Sequence, residues 1–419
     1  MKYFLYFFFL TAGAILVSFG SFRPVHLSSL VLIFLTLCFA RKTLFRVFKN
    51  HPIWTLLFGL WSLLLGLITA IGGTYWSFVD VGVFVTYTLV SASLAAWFIK
   101  LGHSFSYTTA AWLVVLGFFV SLKMTASIGL LDFFRSMWSA VAAGQSEILI
   151  FELFGRAGVL ASGGFEFAAG LRHTVSALFG VSIFLVAEQS SRTRWTVSSV
   201  SVVAIMSFLI IAMQSRSTWV AIALGASVIL FHRVRKYRLT PLRVVLGLAV
   251  ISFVVVSAAM VWGLVATRMS DESSLVGREE YLLKNLGNIF RYGLIPVDVA
   301  QVHGSSHNFV VDSGVSGGLL GMIVAALFYL TILVLVFRAG RSSRGVYASA
   351  AALPLAIRLV TAGSGLPGVG GFIGFALLLA WGMSHRKSNA FRHERHSVVI
   401  RNRTEPPNAS SNHVKVWQS

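Results

Sequence analysis

Long apolar segments follow one another through nearly the whole chain, and the charged residues fall in short clusters between them. That spacing leaves few ways to fold. A helix needs roughly 20 largely apolar residues to cross a bilayer, and a chain in lipid must satisfy its backbone hydrogen bonds within each segment. Charged residues are 11% of the 419 positions, against 56% hydrophobic. Soluble domains carry about 25% charged residues, so even a large buried core does not call for such a deficit. The expected fold is an all-α polytopic membrane protein with about twelve transmembrane helices, at roughly 3–21, 25–40, 52–71, 77–99, 105–122, 171–188, 195–213, 217–232, 242–264, 309–337, 346–361 and 367–384. No internal repeat is visible.

The formal net charge is +20. Nucleic acid is excluded as a partner, because the basic residues form no stripe and instead mark the ends of apolar segments. With the amino terminus inside, 23 of the 34 lysines and arginines lie in inner segments and 11 in outer ones. The densest cluster, Arg233, Arg235, Lys236 and Arg238, falls inside. The positive-inside rule then predicts both termini on the cytoplasmic side, which requires an even number of spans. Residues 1–384 form the expected membrane domain, and 385–419 a polar, basic, disordered cytoplasmic tail. Asn408-Ala409-Ser410 spells a glycosylation sequon on the wrong side for use.

Two outer loops are long, at about 123–170 and 266–306. In the first, Leu130–Phe154 mixes Phe133, Phe134, Met137 and Trp138 with Asp132, Arg135 and Glu147, which suits an interfacial helix. The second is expected to hold a helix near Gly277–Phe290. Cys38 is the single cysteine, which rules out a disulfide framework or a cysteine metal site. The first apolar segment lacks a signal-peptidase site and reads as a retained helix.

Three outward residues stand out. Arg216 lies in Gln214-Ser215-Arg216-Ser217-Thr218-Trp219, Arg278 in Gly277-Arg278-Glu279-Glu280-Tyr281, and His307 in Ser305-Ser306-His307-Asn308. Each has a structural alternative. Arg216 could snorkel to the interface, Arg278 could pair with Glu279 or Glu280, and His307 could cap the following helix. Yet all three fall on one side of the membrane from distant parts of the chain. Two arginines, which fork onto phosphate oxygens, and a histidine that titrates near neutrality would suit an anionic ligand.

The run His307-Asn308-Phe309-Val310-Val311-Asp312-Ser313-Gly314-Val315-Ser316-Gly317-Gly318-Leu319-Leu320-Gly321 resembles a motif of the O-antigen ligase and O-antigen polymerase family, a bacterial polysaccharide ligase-polymerase superfamily. That family shows His-Asn followed by glycines eleven and fourteen residues after the histidine, where this chain has Gly318 and Gly321. Ser215-Arg216-Ser217-Thr218-Trp219 is similar to its Ser-Arg element, Gly277-Arg278 to the Gly-Arg opening its large periplasmic loop helix, and Arg156-Ala157-Gly158 to an Arg-x-Gly element. The likeness covers about residues 156–338. The chain departs from the pattern at Ser316, where an acid is common, at Val310, where an aromatic is common, and after Gly-Arg, where the aromatic is Tyr281.

The resemblance implies a metal-independent, inverting glycosyltransferase of the bacterial inner membrane, with no cofactor. Its donor would be a glycan on undecaprenyl pyrophosphate and its acceptor a hydroxyl at the periplasmic face. It implies His307 as general base and Arg216 and Arg278 as stabilisers of the leaving pyrophosphate, with Asn308, Arg156, Arg172, Ser215 and Tyr281 as substrate-binding candidates. The glycines near 318 are expected to permit close helix packing. No outward Asp-x-Asp is present, in keeping with a metal-free reaction. Lipid A–core as acceptor would make the protein an O-antigen ligase of lipopolysaccharide biosynthesis, the reading placed first. A second lipid-linked glycan as acceptor would make it a polymerase. A flippase or secondary transporter, and a non-catalytic assembly subunit, are the readings from other classes. Span interiors nearly free of charge and halves without matching pattern tell against transport.

Overall fold

The computed structural model describes residues 2–17, 23–52, 78–126, 166–212, 216–236, 273–294, 308–340 and 345–361, with isolated positions 55–56, 59–60, 62–63, 131, 135 and 380. The apolar segments expected at 242–264 and 367–384, most of that at 52–71, the interfacial helix expected at 130–154 and the tail at 385–419 lie outside them. Among the described residues the chain is all-α, with no strand. The helices are α1 (Lys2–Gly13), α2 (Pro24–Phe39), α3 (Arg41–Asn50), α4 (Phe78–Leu101), α5 (Tyr107–Ala126), α6 (Glu166–Arg192), α7 (Val197–Ala212), α8 (Arg216–Lys236), α9 (Ser273–Tyr292), α10 (Phe309–Gly340) and α11 (Gly345–Thr361).

One element was not expected as a helix. The basic cluster after α2 folds as α3, which buries Leu44 and Val47 and exposes Arg41, Lys42, Arg46 and Lys49. Apolar residues three apart on a short basic helix make one face sticky and the other solvated.

Among the described residues one stretch, Tyr107–Met124 in α5, is long and apolar enough to cross a bilayer, with a mean hydropathy of 1.5. Shorter apolar stretches of 10–17 residues include Pro24–Phe39, Val197–Ile210 and Thr218–His232. Several helices turn apolar faces outward: Leu27, Leu30, Phe34 and Leu37 on α2, Val220, Leu224 and Phe231 on α8, and Leu320, Ile323, Leu327 and Leu330 on α10.

Close contacts fix the direction of each helix against its neighbours. The backbone N–H of Ser106 donates to Tyr6 Oη at 3.1 Å, and a Cβ on Gly13 would strike the Val114 backbone, so α1 and α5 run parallel. A 2.7 Å hydrogen bond joins Thr11 Oγ1 and Ser28 Oγ where α1 and α2 pass. Trp97 Nε1 donates to Thr36 Oγ1 at 2.9 Å, and Lys100 Nζ donates to Phe39 O at 2.9 Å, so α2 and α4 are parallel. Gln189 Oε1 accepts the N–H groups of Tyr107 at 2.5 Å and Thr108 at 3.1 Å. Farther along, the rings of Phe118 and Phe179 meet, so α5 and α6 are antiparallel.

Close contacts order the second half of the chain in the same way. A Cβ on Gly180 of α6 would touch Pro354 and Thr218, and one on Gly225 of α8 would meet Phe184 and the Ala350 carbonyl. Helices α6 and α8 are therefore parallel, and both oppose α11. Tyr329 Oη donates to Ala356 O at 2.9 Å, which makes α10 and α11 an antiparallel pair about their short connection. Every direction fixed in this way agrees with a chain threaded alternately up and down. One end of the bundle gathers Lys2, Lys100 and Arg192, and the opposite end holds the starts of α6 and α8.

Two carboxylates are buried where span interiors nearly free of charge were expected. Glu188 forms an ion pair with Arg192 near the basic end of α6, and Asp312 lies in the first turns of α10.

Candidate functional site

Helix α10 was expected as one span over 309–337, and it is broken instead. Gly318 adopts φ +63° and ψ −163° inside it. Only glycine enters that region without a steric penalty from Cβ. The arm Phe309–Gly317 folds back on the arm that follows. A Cβ on Gly321 would lie 2.5 Å from Ser313 O, and one on Gly314 would lie 3.0 Å from Met322 Cβ. In a straight helix residues eight apart are separated by about 12 Å. The first arm, about 13 Å long, is too short to cross a bilayer, whereas the second, about 33 Å, is long enough.

Helix α9, the loop helix expected near 277–290, docks on this break. The N–H groups of Leu319 and Leu320 begin the second arm and have no partner within it. They donate to the carbonyls of Gly293 at 3.0 Å and Leu294 at 3.2 Å, just past the end of α9. One turn back, Ile289 is buried against Gly314, whose added Cβ would come within 2.6 Å of Ile289 Cδ1. The expectation that the glycines serve close packing is met at Gly314, Gly318 and Gly321.

Asn308 opens the short arm. Its Oδ1 accepts the N–H of Val310 at 3.0 Å and of Val311 at 3.3 Å, an N-cap that leaves Nδ2 for other contacts. Capping was one alternative for His307, and the cap belongs to its neighbour. Asn308→Ala is expected to cost about 1 kcal/mol of stability, and Asn308→Asp to keep most of it. Thermal denaturation of the two variants checks this.

Arg278 lies within α9, with its side chain outside the described residues. Two of its neighbours are described. Tyr281 is 43% exposed. Glu280 receives a 2.6 Å hydrogen bond from Lys284 Nζ. That bond, then the opposite charge, holds the Glu280 carboxyl below and the Lys284 ammonium above their usual ranges. Both are fully exposed, so water and salt screen the pair. Glu280 is thus engaged by Lys284, which weakens the reading of Arg278 as that acid's partner.

Arg216 is the first residue of α8, and Arg172 lies near the start of α6. Both helices start at the end of the bundle opposite Lys2 and Arg192. Two residues beyond Arg216, Thr218 is fully buried against Gly180, and Trp219 Nε1 donates to Ile210 O at 3.0 Å. These contacts anchor the first turn of α8. Because α10 opposes α11 and α11 opposes α8, the break at Gly318 also lies toward that end. His307, Ser215 and Arg156 lie outside the described residues, as do the side chains of Arg216 and Arg172.

Asp312 was missed by sequence reasoning. It is 6% exposed, one turn after the Asn308 cap, on the arm that α9 covers. The signal was present: an acid inside an otherwise apolar run. Among the described residues no cluster of three His, Cys, Asp or Glu side chains could hold a metal ion.

The described residues define an all-helical bundle with a glycine-broken helix and a loop helix docked on the break. No protein-family model matches the chain, and no curated protein matches its sequence.

Proposed function

We propose that the chain is a multi-pass protein of the bacterial inner membrane, with about twelve spans and both termini cytoplasmic. On this reading it transfers a glycan from undecaprenyl pyrophosphate to an acceptor hydroxyl at the periplasmic face. Outward apolar faces on α2, α8 and α10 support the bilayer as surroundings, since exposed apolar stripes of that length are unusual on soluble monomers. The observation that carries the functional reading is the dock of α9 on the broken α10. It packs the helix bearing Arg278 along the arm that His307-Asn308 leads into, and the break itself lies toward the end of the bundle where Arg216 begins α8.

In the proposed reaction the acceptor oxygen attacks the anomeric carbon as the bond to pyrophosphate breaks, which inverts the centre. His307 takes the hydroxyl proton as general base. Arg216 and Arg278 stabilise the charge gathering on the departing pyrophosphate. Asn308, Arg156, Arg172, Ser215 and Tyr281 hold donor and acceptor. The likeness to the O-antigen ligase and polymerase family supports this assignment, with lipid A–core as first acceptor and a lipid-linked glycan as second. No residue in it requires a metal or cofactor.

A second reading, a flippase or secondary transporter, draws on the break itself. Discontinuous helices and buried carboxylates such as Asp312 line transport pathways. Purified chain in sealed vesicles, supplied with undecaprenyl-pyrophosphate glycan and lipid A–core, separates the two. Glycan covalently joined to the acceptor supports transfer. Movement of the glycan lipid across the bilayer without a new bond refutes it. In a deletion strain, lipid A–core that still carries long chains excludes ligase. Single units in place of long chains identify polymerase.

A further inference from the structure

The break in α10 is closed by another part of the chain, which makes the loop helix and the short arm one unit. We propose that Gly318 is a positioning residue. Its conformation turns the Leu319 and Leu320 N–H groups onto the carbonyls of Gly293 and Leu294, and this latch sets where α9 carries Arg278 relative to the Asn308 arm. The consequence for catalysis rests on the glycan-transfer reading above; the latch itself does not.

The geometry admits no side chain at this point. A Cβ on Gly318 would stand 2.5 Å from Leu294 O, 2.8 Å from Leu294 C and 3.0 Å from Gly293 O, at a φ of +63°. All three are backbone atoms and cannot swing aside. Any larger residue must push the end of α9 away, straighten the break, or both. The second anchor lies one turn back, where Ile289 fills the space that Gly314 leaves open. Two independent contacts on one helix fix both its position and its rotation. Neither touches Asn308, whose cap is local. Undocking α9 would therefore move Arg278 while the short arm keeps its own start. Displacement of a catalytic group by about 1 Å costs on the order of 10²-fold in rate.

The test uses the full-length chain in lipid nanodiscs. In the unmodified protein the amides of Leu319 and Leu320 should exchange slowly with deuterium, and rapid exchange there overturns the latch whatever the activity. Gly318→Ala should release these two amides and lower kcat for glycan transfer about 10²-fold, with far less change in KM for the lipid-linked donor. Ile289→Asp attacks the dock from α9 and should give the same pattern with Gly318 intact. Rescue separates positioning from general damage. In a Cys38→Ser background with Gly318 intact, Ile289→Cys with Gly314→Cys should loosen the dock while reduced, since the Ile289 side chain no longer fills it. The pair should close it again as a disulfide, because Cys at 289 lacks the Cδ1 that comes closest to position 314. Oxidation should restore kcat and reduction abolish it again. A disulfide that forms without restoring kcat, or a Gly318→Ala chain with unchanged kcat, overturns the positioning role. If the unmodified chain transfers no glycan, the functional reading fails while the exchange data still decide the latch.

Discussion

His307→Ala is expected to slow glycan transfer by about 10²–10⁴-fold, the usual contribution of a positioned general base. The fold should survive the change. The helix that follows is capped by Asn308 Oδ1, so the start of α10 does not depend on an imidazole. Donor binding should also survive, because the pyrophosphate is assigned to arginines. The loss should therefore appear in kcat more than in KM. The unmodified protein should show a pH dependence near neutrality that the variant lacks. Purified protein with undecaprenyl-pyrophosphate glycan and acceptor provides the assay. Full activity in His307→Ala would remove the general base and with it the mechanism.

The second large effect is expected at Arg216. Arg216→Ala should lower transfer by about 10²–10³-fold, the range seen when a charge-stabilising donor is removed from a reaction centre. Arg216→Lys keeps the charge and loses the two-pronged geometry that matches phosphate oxygens, so it should recover only part of the rate. The surroundings make a folding explanation testable. Thr218 packs against Gly180, and Trp219 binds the Ile210 carbonyl. With those anchors intact, the melting temperature of Arg216→Ala should stay close to that of the unmodified chain. A snorkelling arginine predicts the reverse: wild-type rates in both variants.

These residues were legible because charge is scarce in this chain. Where 11% of residues are charged, an arginine between two apolar segments is visible at once. Helix existence was legible for the same reason, and α5, α7 and α8 start within about three residues of the expected bounds. The break at Gly318 was not. Apolar periodicity runs unchanged through Phe309–Leu330, because both arms bury apolar faces, and hydropathy does not record a reversal of direction. Glycines at 314, 317, 318 and 321 announced close packing without saying which one turns the chain or what fills the gap. Asp312 was read as part of a motif, and that it is buried shows only in the folded chain. The helix α3 was hidden for the opposite reason. Its basic residues dominated the reading, and Leu44 and Val47 gain meaning only against a neighbour.

The sequence alone determined the class of fold and the types of group available for chemistry. Those follow from local quantities: segment length, apolar content and residue type. The tertiary structure decided the rest. It set α9 on α10, turned the chain at a glycine whose φ no other residue adopts easily, and gave the orphaned N–H groups of Leu319 and Leu320 to carbonyls some 25 residues earlier. Such partners are chosen by unmet hydrogen bonds and excluded volume between distant segments, and neither quantity is written in the order of residues within one segment.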